Sequence, residues 1–309
     1  MAKVTKKFKN VEEYFLDFEY ATNSILLKNK FCPYLLQETM AGRVMKFDKD
    51  YFTYGKAVDA ILSKEEITDK FFIGEKPKDA DELKEKKLNL QKTIDERMGK
   101  PPTKTQEQQM DGYDKKIEVT KEADGKTHIT DAEYAHIKQS ADELLSQPLY
   151  GAFESANNQT IIATEIDGIK VKCMLDKLDL ENKIICDDKT AANIINEDFS
   201  RYLQQLTWYR WIVKEVYGVE CDCYLAVVDK NKSKNKQWKR SSLFYASKAK
   251  MDWQQESNME QLKSFVEARE TKNFPPIIEN NPEARETHCF NCDHYQLCPH
   301  SRQTKFVIL

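Results

Sequence analysis

The sequence predicts an α/β fold, and three observations carry that expectation. Residues 159–190 contain apolar runs that alternate with polar residues, the period-2 pattern of half-buried strands. Residues 196–217 instead show a helical stripe of Leu203, Leu206, Tyr209, Ile212 and Val216. A strand at 221–228, its partner at 241–245 and a helix at 248–272 follow, so strands and helices intermix through the second half.

The elements follow in chain order. Residues 9–30 read as helical, with Val11, Tyr14, Phe15 and Phe18 at spacings of three and four, and Asn23-Ser24 as the cap of a second helix reaching about Met45. A further helix at 54–68 carries Ala57, Val58, Ile61 and Leu62. Residues 75–126 are rich in Lys, Glu, Gln and Asp and poor in apolar residues. That composition predicts solvated helices and loops, or a helical arm that clasps a polyanion. Thr130-Asp131-Ala132-Glu133 reads as a capping box opening a helix through Leu144, with Ala135, Ile137, Ala141 and Leu145 near one face. The expected organisation is a single domain over 1–309, with a charged, largely helical insertion at 75–145 and a cysteine cluster at 286–300.

Composition bounds the function classes. The chain has 309 residues, 32% of them charged, with a net charge of −3. It has no apolar run approaching the ~20 residues of a membrane helix and no apolar core in its first residues for a secretory signal, so a cytoplasmic location is expected. A near-neutral sum neither argues for nor excludes nucleic acid, because a metal nuclease needs acids in its site and bases around it. Eight cysteines in such a chain point to thiols or metal ligands rather than disulfides.

The most informative stretch is Leu175-Asp176, followed after the gap Glu181-Asn182-Lys183 by Ile184-Ile185-Cys186-Asp187-Asp188-Lys189-Thr190. Pairing the two runs as a hairpin brings the Asp176 and Asp187 carboxylates together, with Lys189 on the same face as Asp187. Two oxygen donors and a cation suit a Mg²⁺ or Mn²⁺ site that cuts a phosphodiester. Lys189 would then orient the attacking water or stabilise charge in the transition state.

These residues resemble the core of PD-(D/E)XK nucleases of the RecB-like group, including AddB-type and phage RecE-like enzymes. Gln205-Leu206-Thr207-Trp208-Tyr209 is similar to that group's Q-x-x-x-Y helix motif, and Gly55-Lys56-Ala57-Val58-Asp59 to its upstream helix motif, with Asp59 where a histidine is usual. The resemblance implies a restriction-endonuclease-like α/β core, with a mixed central β-sheet flanked by helices and a helical N-terminal region. It further implies that Asp59, Glu165, Asp176 and Asp187 surround the metal, and that Gln205 and Tyr209 contact the DNA strand.

Cys289-x2-Cys292-x5-Cys298 supplies three thiolates; a complete site needs a fourth ligand, for which Cys32 is the best candidate. Zinc with His288, His294 or His300 is the rival set. In the AddB-type relatives, and in nucleases of CRISPR adaptation and replication, such a split set holds a 4Fe–4S cluster that staples the chain ends. Cys173, Cys186, Cys221 and Cys223 read as small core residues. The loop 229–240 alternates Lys230, Lys232, Lys234, Lys236, Lys239 and Arg240 with polar residues around Trp238, a pattern for backbone phosphates with one stacked base.

The function expected is a metal-dependent DNA exonuclease that produces single-stranded tails for recombination or repair, in a phage-related setting. No phosphate-loop motif of a helicase is present, so an annealing recombinase would be a separate chain, and a ring-shaped homo-oligomer is the RecE-like possibility. Two alternatives stay open: an iron–sulfur nuclease of CRISPR adaptation, and a non-catalytic DNA-binding module on the same fold.

Overall fold

The computed structural model describes residues 3–44, 50–96, 101–151, 153, 156–191, 194, 198–230, 241–277, 289, 292 and 298–302. Its centre is a five-stranded sheet in the order β3-β4-β5-β6-β7. β3 (Asn157–Ile166), β4 (Ile169–Asp179) and β5 (Ile184–Ala191) form an antiparallel meander. β6 (Asp222–Asp229) runs parallel to β5, and β7 (Ser241–Ala246) returns antiparallel at the edge. The parallel step is made by a 3-10 turn (Phe199–Tyr202) and α10 (Leu203–Tyr217), which stops at Gly218 in the left-handed conformation, φ 69°. The sheet is therefore mixed, as expected.

Strand alternation sorts the core into two layers. Ile185, Leu225 and Val227 point into a cluster with Leu206, Trp208 and Ile212 of α10 and Met251, Leu262 and Phe265 of α11 (Lys248–Thr271). Their neighbours Cys186, Ala226 and Val228 point into the opposite cluster, with Ala57 and Val58 of α4 (Asp50–Leu62) and Ile137, Ala141 and Leu144 of α8 (Asp131–Leu145). The four cysteines expected in the core are buried there.

At the N-terminus the sequence reading is corrected. The helical stretch over 9–30 is broken into α1 (Val11–Leu16) and α2 (Asn23–Phe31), the latter opening where a second helix is expected but ending well short of Met45. The intervening chain is drawn onto β4, where Ala21 N–H donates to the Lys170 carbonyl and Lys172 N–H to the Ala21 carbonyl, both at 2.9 Å. The cap of α2 is Thr22, whose Oγ1 accepts the Ile25 N–H, rather than Asn23-Ser24. Pro33 ends the run at Cys32 and opens a separate α3 (Pro33–Met40), because proline has no N–H for an interior helical bond.

The 54–68 helix likewise divides into α4 and the short α5 (Ile67–Lys70). Within 75–126 lie α6 (Ala80–Asp95), which buries only Leu83, and α7 (Lys104–Glu122), which buries nothing. Two strands of three residues, β1 (Phe71–Ile73) and β2 (Thr127–Ile129), pair in parallel at the base of this arm. They are too short for periodicity to reveal. The Thr130 capping box forms, with Thr130 Oγ1 accepting the Glu133 N–H and Glu133 accepting the Thr130 N–H. Among the described residues no helix is long and apolar enough to cross a membrane.

Candidate active site

The site lies where β4 and β5 part. Their pairing runs Asp179↔Ile184, Leu178↔Ile185 and Lys177↔Cys186, then ends. At the next position the Asp176 carboxylate replaces the ladder, its Oδ2 accepting the Asp188 N–H at 2.9 Å. The other edge of β4 also skips Asp176: Thr160↔Leu175 and Asn158↔Lys177 are paired, while the intervening Gln159 takes the left-handed conformation, φ 48°. A non-glycine residue there is uncommon and carries backbone strain. The irregularity thus falls on the residue whose carboxylate has left the ladder.

Asp187 and Asp188 follow the same alternation as Ile185 and Cys186. Asp187, only 1% exposed, faces α10, where its Oδ1 accepts from Gln205 Nε2 at 3.2 Å. Gln205 Nε2 also donates to the Tyr209 hydroxyl at 2.5 Å. The second oxygen, Asp187 Oδ2, is buried without a directional hydrogen-bond donor and is met by the Lys189 ammonium at 2.5 Å. Lys189 Nζ is 4.0 Å from Asp176 Oδ2 and donates to the Asp188 carbonyl at 3.2 Å. Asp188 turns to the other layer, both of its oxygens 3.2 Å from the Tyr150 hydroxyl of α9 (Pro148–Gly151).

The electrostatics follow from this packing. Burial, reinforced by the Asp176 charge, pushes the Asp187 carboxyl well above the carboxylate range, while Lys189 pulls it back. Burial alone would lower the Lys189 ammonium, but Asp187, Asp176 and Asp59 more than reverse that and raise it. Burial and Asp176 likewise push the Asp188 carboxyl up to about 7.

Asp59 joins the centre from α4. Gly55, one turn earlier, faces β5: a methyl there would meet Thr190 Oγ1 at 3.4 Å, an ordinary contact. Tyr54 anchors the same turn by donating to the Asp229 carbonyl at 3.3 Å. Dense surroundings and the Asp176 charge push the Asp59 carboxyl up, with Lys189 and Lys230 opposing, although its side chain keeps a solvent-exposed face.

Asp176, Asp187 and Lys189 therefore come together as the hairpin reading expects, and Asp59 stands beside them. Glu165 does not. It is exposed and pairs with Lys170 beside the Asp167-Gly168 turn, six residues along β4 from Asp176, or roughly 20 Å at strand rise. Tyr209 is 7% exposed and sits in the core cluster, so its place is behind Gln205 rather than on a substrate surface. Lys234, Lys236 and Trp238 lie outside the described residues.

Three participants escaped the sequence reading. Tyr150 has no local signal. Lys177 is 5% exposed, donating to the Leu62 carbonyl at 3.2 Å and to Asn158 Oδ1 at 3.0 Å. Asp188 was visible only as the doublet with Asp187, and a strand with charge on both faces and apolar flanks is the hint that both are buried.

Among the described residues no group of three or more His, Cys, Asp or Glu side chains is closed up around a metal. The Asp176–Asp187 pair still fits Mg²⁺ or Mn²⁺. Mg²⁺ binds through as few as one or two carboxylates and keeps several waters, and the buried Asp187 Oδ2 has a cation beside it and no directional donor. The cysteine tail is less complete. Cys292 N–H donates to the Cys289 carbonyl at 3.0 Å, and the rings of Tyr34 and His300 meet at 4.6 Å, so the Cys32 and Cys298 segments are neighbours. The four thiols do not form a closed ligand set here.

The crystal structure of a presumed exonuclease from Eubacterium rectale superposes with TM-score 0.62 at 15% identity, covering 98% of this chain and 97% of that one. At that identity the likeness is one of fold. A second solved structure, that of SSO0001, reaches TM-score 0.30 at 14% identity over 69% of this chain and 96% of its own, and carries no argument. No curated protein matches the sequence. The sequence model of the PDDEXK-like domain of unknown function (DUF3799) matches residues 8–286, and the chain belongs to that family.

Proposed function

We propose that this protein is a Mg²⁺- or Mn²⁺-dependent DNA exonuclease, acting on linear DNA to leave single-stranded tails for recombination or repair in a phage-related setting. The observation that carries the reading is the convergence of Asp176, Asp187 and Lys189 where β4 and β5 separate. Asp176 and Asp187 would hold the divalent ion. When bound, it supplies Lewis acidity toward a phosphate oxygen and lowers the pKa of a water. Gln205 fixes the orientation of Asp187, and Tyr209 fixes Gln205. Lys189 stays protonated and presents its charge to the phosphoryl oxygens as they gain charge in the transition state. The description of the Eubacterium rectale neighbour as a presumed exonuclease agrees in kind.

End-labelled linear and covalently closed circular DNA, incubated with Mg²⁺ or Mn²⁺, test the reading. Loss of linear DNA alone, abolished by Asp176→Asn and slowed about 10²–10³-fold by Lys189→Ala, is the expected result. Cutting of circles would replace the exonuclease with an endonuclease, and full activity in both variants would remove this site from the chemistry.

The same proposal gives Cys32, Cys289, Cys292 and Cys298 a structural 4Fe–4S cluster that draws the neighbouring chain ends together. Iron and sulfide in equal amounts after anaerobic purification support it, and a colourless zinc-loaded protein contradicts it. DNA contact through Lys234, Lys236 and Trp238, an annealing recombinase as partner and a homo-oligomer complete the reading. A steep salt dependence of DNA binding that flattens when the loop lysines are reversed checks the first of these.

A further inference from the structure

Asp187 and Lys189 stand toward the carboxyl end of β5, which runs parallel to β6, and a cation on an aromatic ring stands at each side of them. On the α10 side, the 3-10 turn brings Tyr202 to Lys189, whose Nζ is 5.9 Å from the ring centre. Arg201 is exposed and lies against the same ring. Its guanidinium carbon is 4.7 Å from the ring centre, and Nη2 donates to the Tyr202 hydroxyl at 2.6 Å. Phe199 stacks beside Tyr202 at 6.2 Å and meets Phe244 of β7 at 4.5 Å, so the ring is braced by the turn and by the sheet.

On the α4 side the cation is Lys230. It continues β6 by one residue, its N–H donating to the Ala191 carbonyl at 2.7 Å, and shares the alternation of Ala226 and Val228, which face α4. Its ammonium is 5.8 Å from the ring centre of Tyr54. The Asp59 carboxyl feels both Lys189 and Lys230, so the two lysines border one acid that keeps a solvent-exposed face. The sequence pattern groups Lys230 with the loop 229–240, whereas its place in the fold is beside the catalytic acids. A ring attracts a cation through its quadrupole and, unlike a carboxylate, does not cancel the charge. Both cations are at least partly open to solvent, and the carboxyl ends of parallel strands are where open α/β sheets receive their ligands.

We propose that Arg201 and Lys230 hold two separate phosphates of the substrate strand, which crosses the carboxyl ends of β5 and β6 from the Arg201–Tyr202 corner, past Lys189, to the Lys230–Tyr54 corner. The assignment rests on the nuclease reading above and deepens it by naming the groups that seat the strand. Lys189 is taken by the scissile phosphate, so the cations at the two corners are left for other phosphates of the same strand. The planar fork of Arg201 suits two oxygens of one phosphate, and Lys230 acts as a point charge.

The test uses the full chain carrying Asp187→Asn, so that DNA is bound without being cut, and dye-labelled single-stranded oligonucleotides read by anisotropy. Arg201→Gln and Lys230→Gln are each expected to reduce the slope of log affinity against log salt by about 0.7, the share of one phosphate on a single strand, and together by about twice that. Lys250→Gln serves as the control: it is exposed on the first turn of α11, where Lys248 pairs with Asp222 at the amino end of β6, and should leave the slope unchanged. A second series replaces one phosphate at a time by a neutral methylphosphonate. The loss at one position should vanish in Arg201→Gln and the loss at a different position in Lys230→Gln, with thermal unfolding verifying that each variant folds. Unchanged slopes, an equal fall in the control, or methylphosphonate losses that persist at every position in both variants would overturn the assignment. Losses that vanish at one shared position would overturn it as well. Absence of any DNA binding would instead defeat the nuclease reading on which the proposal stands.

Discussion

Asp187 and Asp188 are neighbours on one strand, yet they serve opposite layers of the molecule. On the α10 face Asp187 meets a glutamine, a lysine and a second aspartate, and one of its oxygens lacks a directional donor. On the α9 face both oxygens of Asp188 lie at hydrogen-bond distance from one buried hydroxyl. The two carboxylates are similarly buried, at 1% and 8% exposure, so burial does not distinguish them. What differs is the kind of partner. Asp187 is met by an amide on one oxygen and, on the other, by an ammonium that also faces Asp176, whereas the two oxygens of Asp188 share the single proton of the Tyr150 hydroxyl.

Four measurements can break or sharpen that contrast. The largest effect belongs to Lys189→Ala, which removes the cation facing Asp187 and Asp176. Turnover on linear DNA should fall by about 10²–10³, the usual loss when one charge-stabilising donor is removed from an active site. A smaller loss, about 10–100-fold in activity or metal affinity, is expected for Gln205→Ala, because Asp187 then loses the amide that orients it. On the opposite face Tyr150→Phe should cost about 1–3 kcal/mol of unfolding free energy by stranding the Asp188 carboxyl, with activity per folded molecule preserved. A parallel drop in activity would mean that the α9 layer takes part in the chemistry.

The fourth concerns pH. Burial lowers the Lys172 ammonium from 10.5 to about 8. The unfolded chain therefore holds more protons than the folded one between these values, and stability from this group rises as pH climbs from 8 to 10.5. Lys172→Met should flatten that rise in denaturant titrations, and an unchanged slope would show that the ammonium is not desolvated.

Much of this was legible in the sequence. Alternation around Ile185 and Cys186 gave β5, and the Leu206–Tyr209–Ile212–Val216 stripe gave α10, because both elements bury one defined face. The pairing of Asp176 with Asp187 followed from hairpin spacing alone. Glu165 was misplaced because a strand's composition does not reveal its register, and the turn at Asp167-Gly168 puts it at the far end of β4. The resemblance implies a DNA contact for Tyr209 as for Gln205; helical spacing puts the two on one face but cannot tell a supporting residue from a presented one. Tyr150, distant in sequence and surrounded by no pattern, became visible only when α9 was laid against β5. The helix break before Ala21 is also tertiary, set by two backbone bonds to β4.

The central claim is that strand alternation makes Asp187 a metal-holding residue and Asp188 a structural one. Hydrolysis of end-labelled linear DNA under Mg²⁺, compared between Asp187→Asn and Asp188→Asn at equal folded concentration, tests it most directly. The account predicts activity abolished in the first and retained in the second. Equal loss in both, or loss confined to Asp188→Asn, would contradict it.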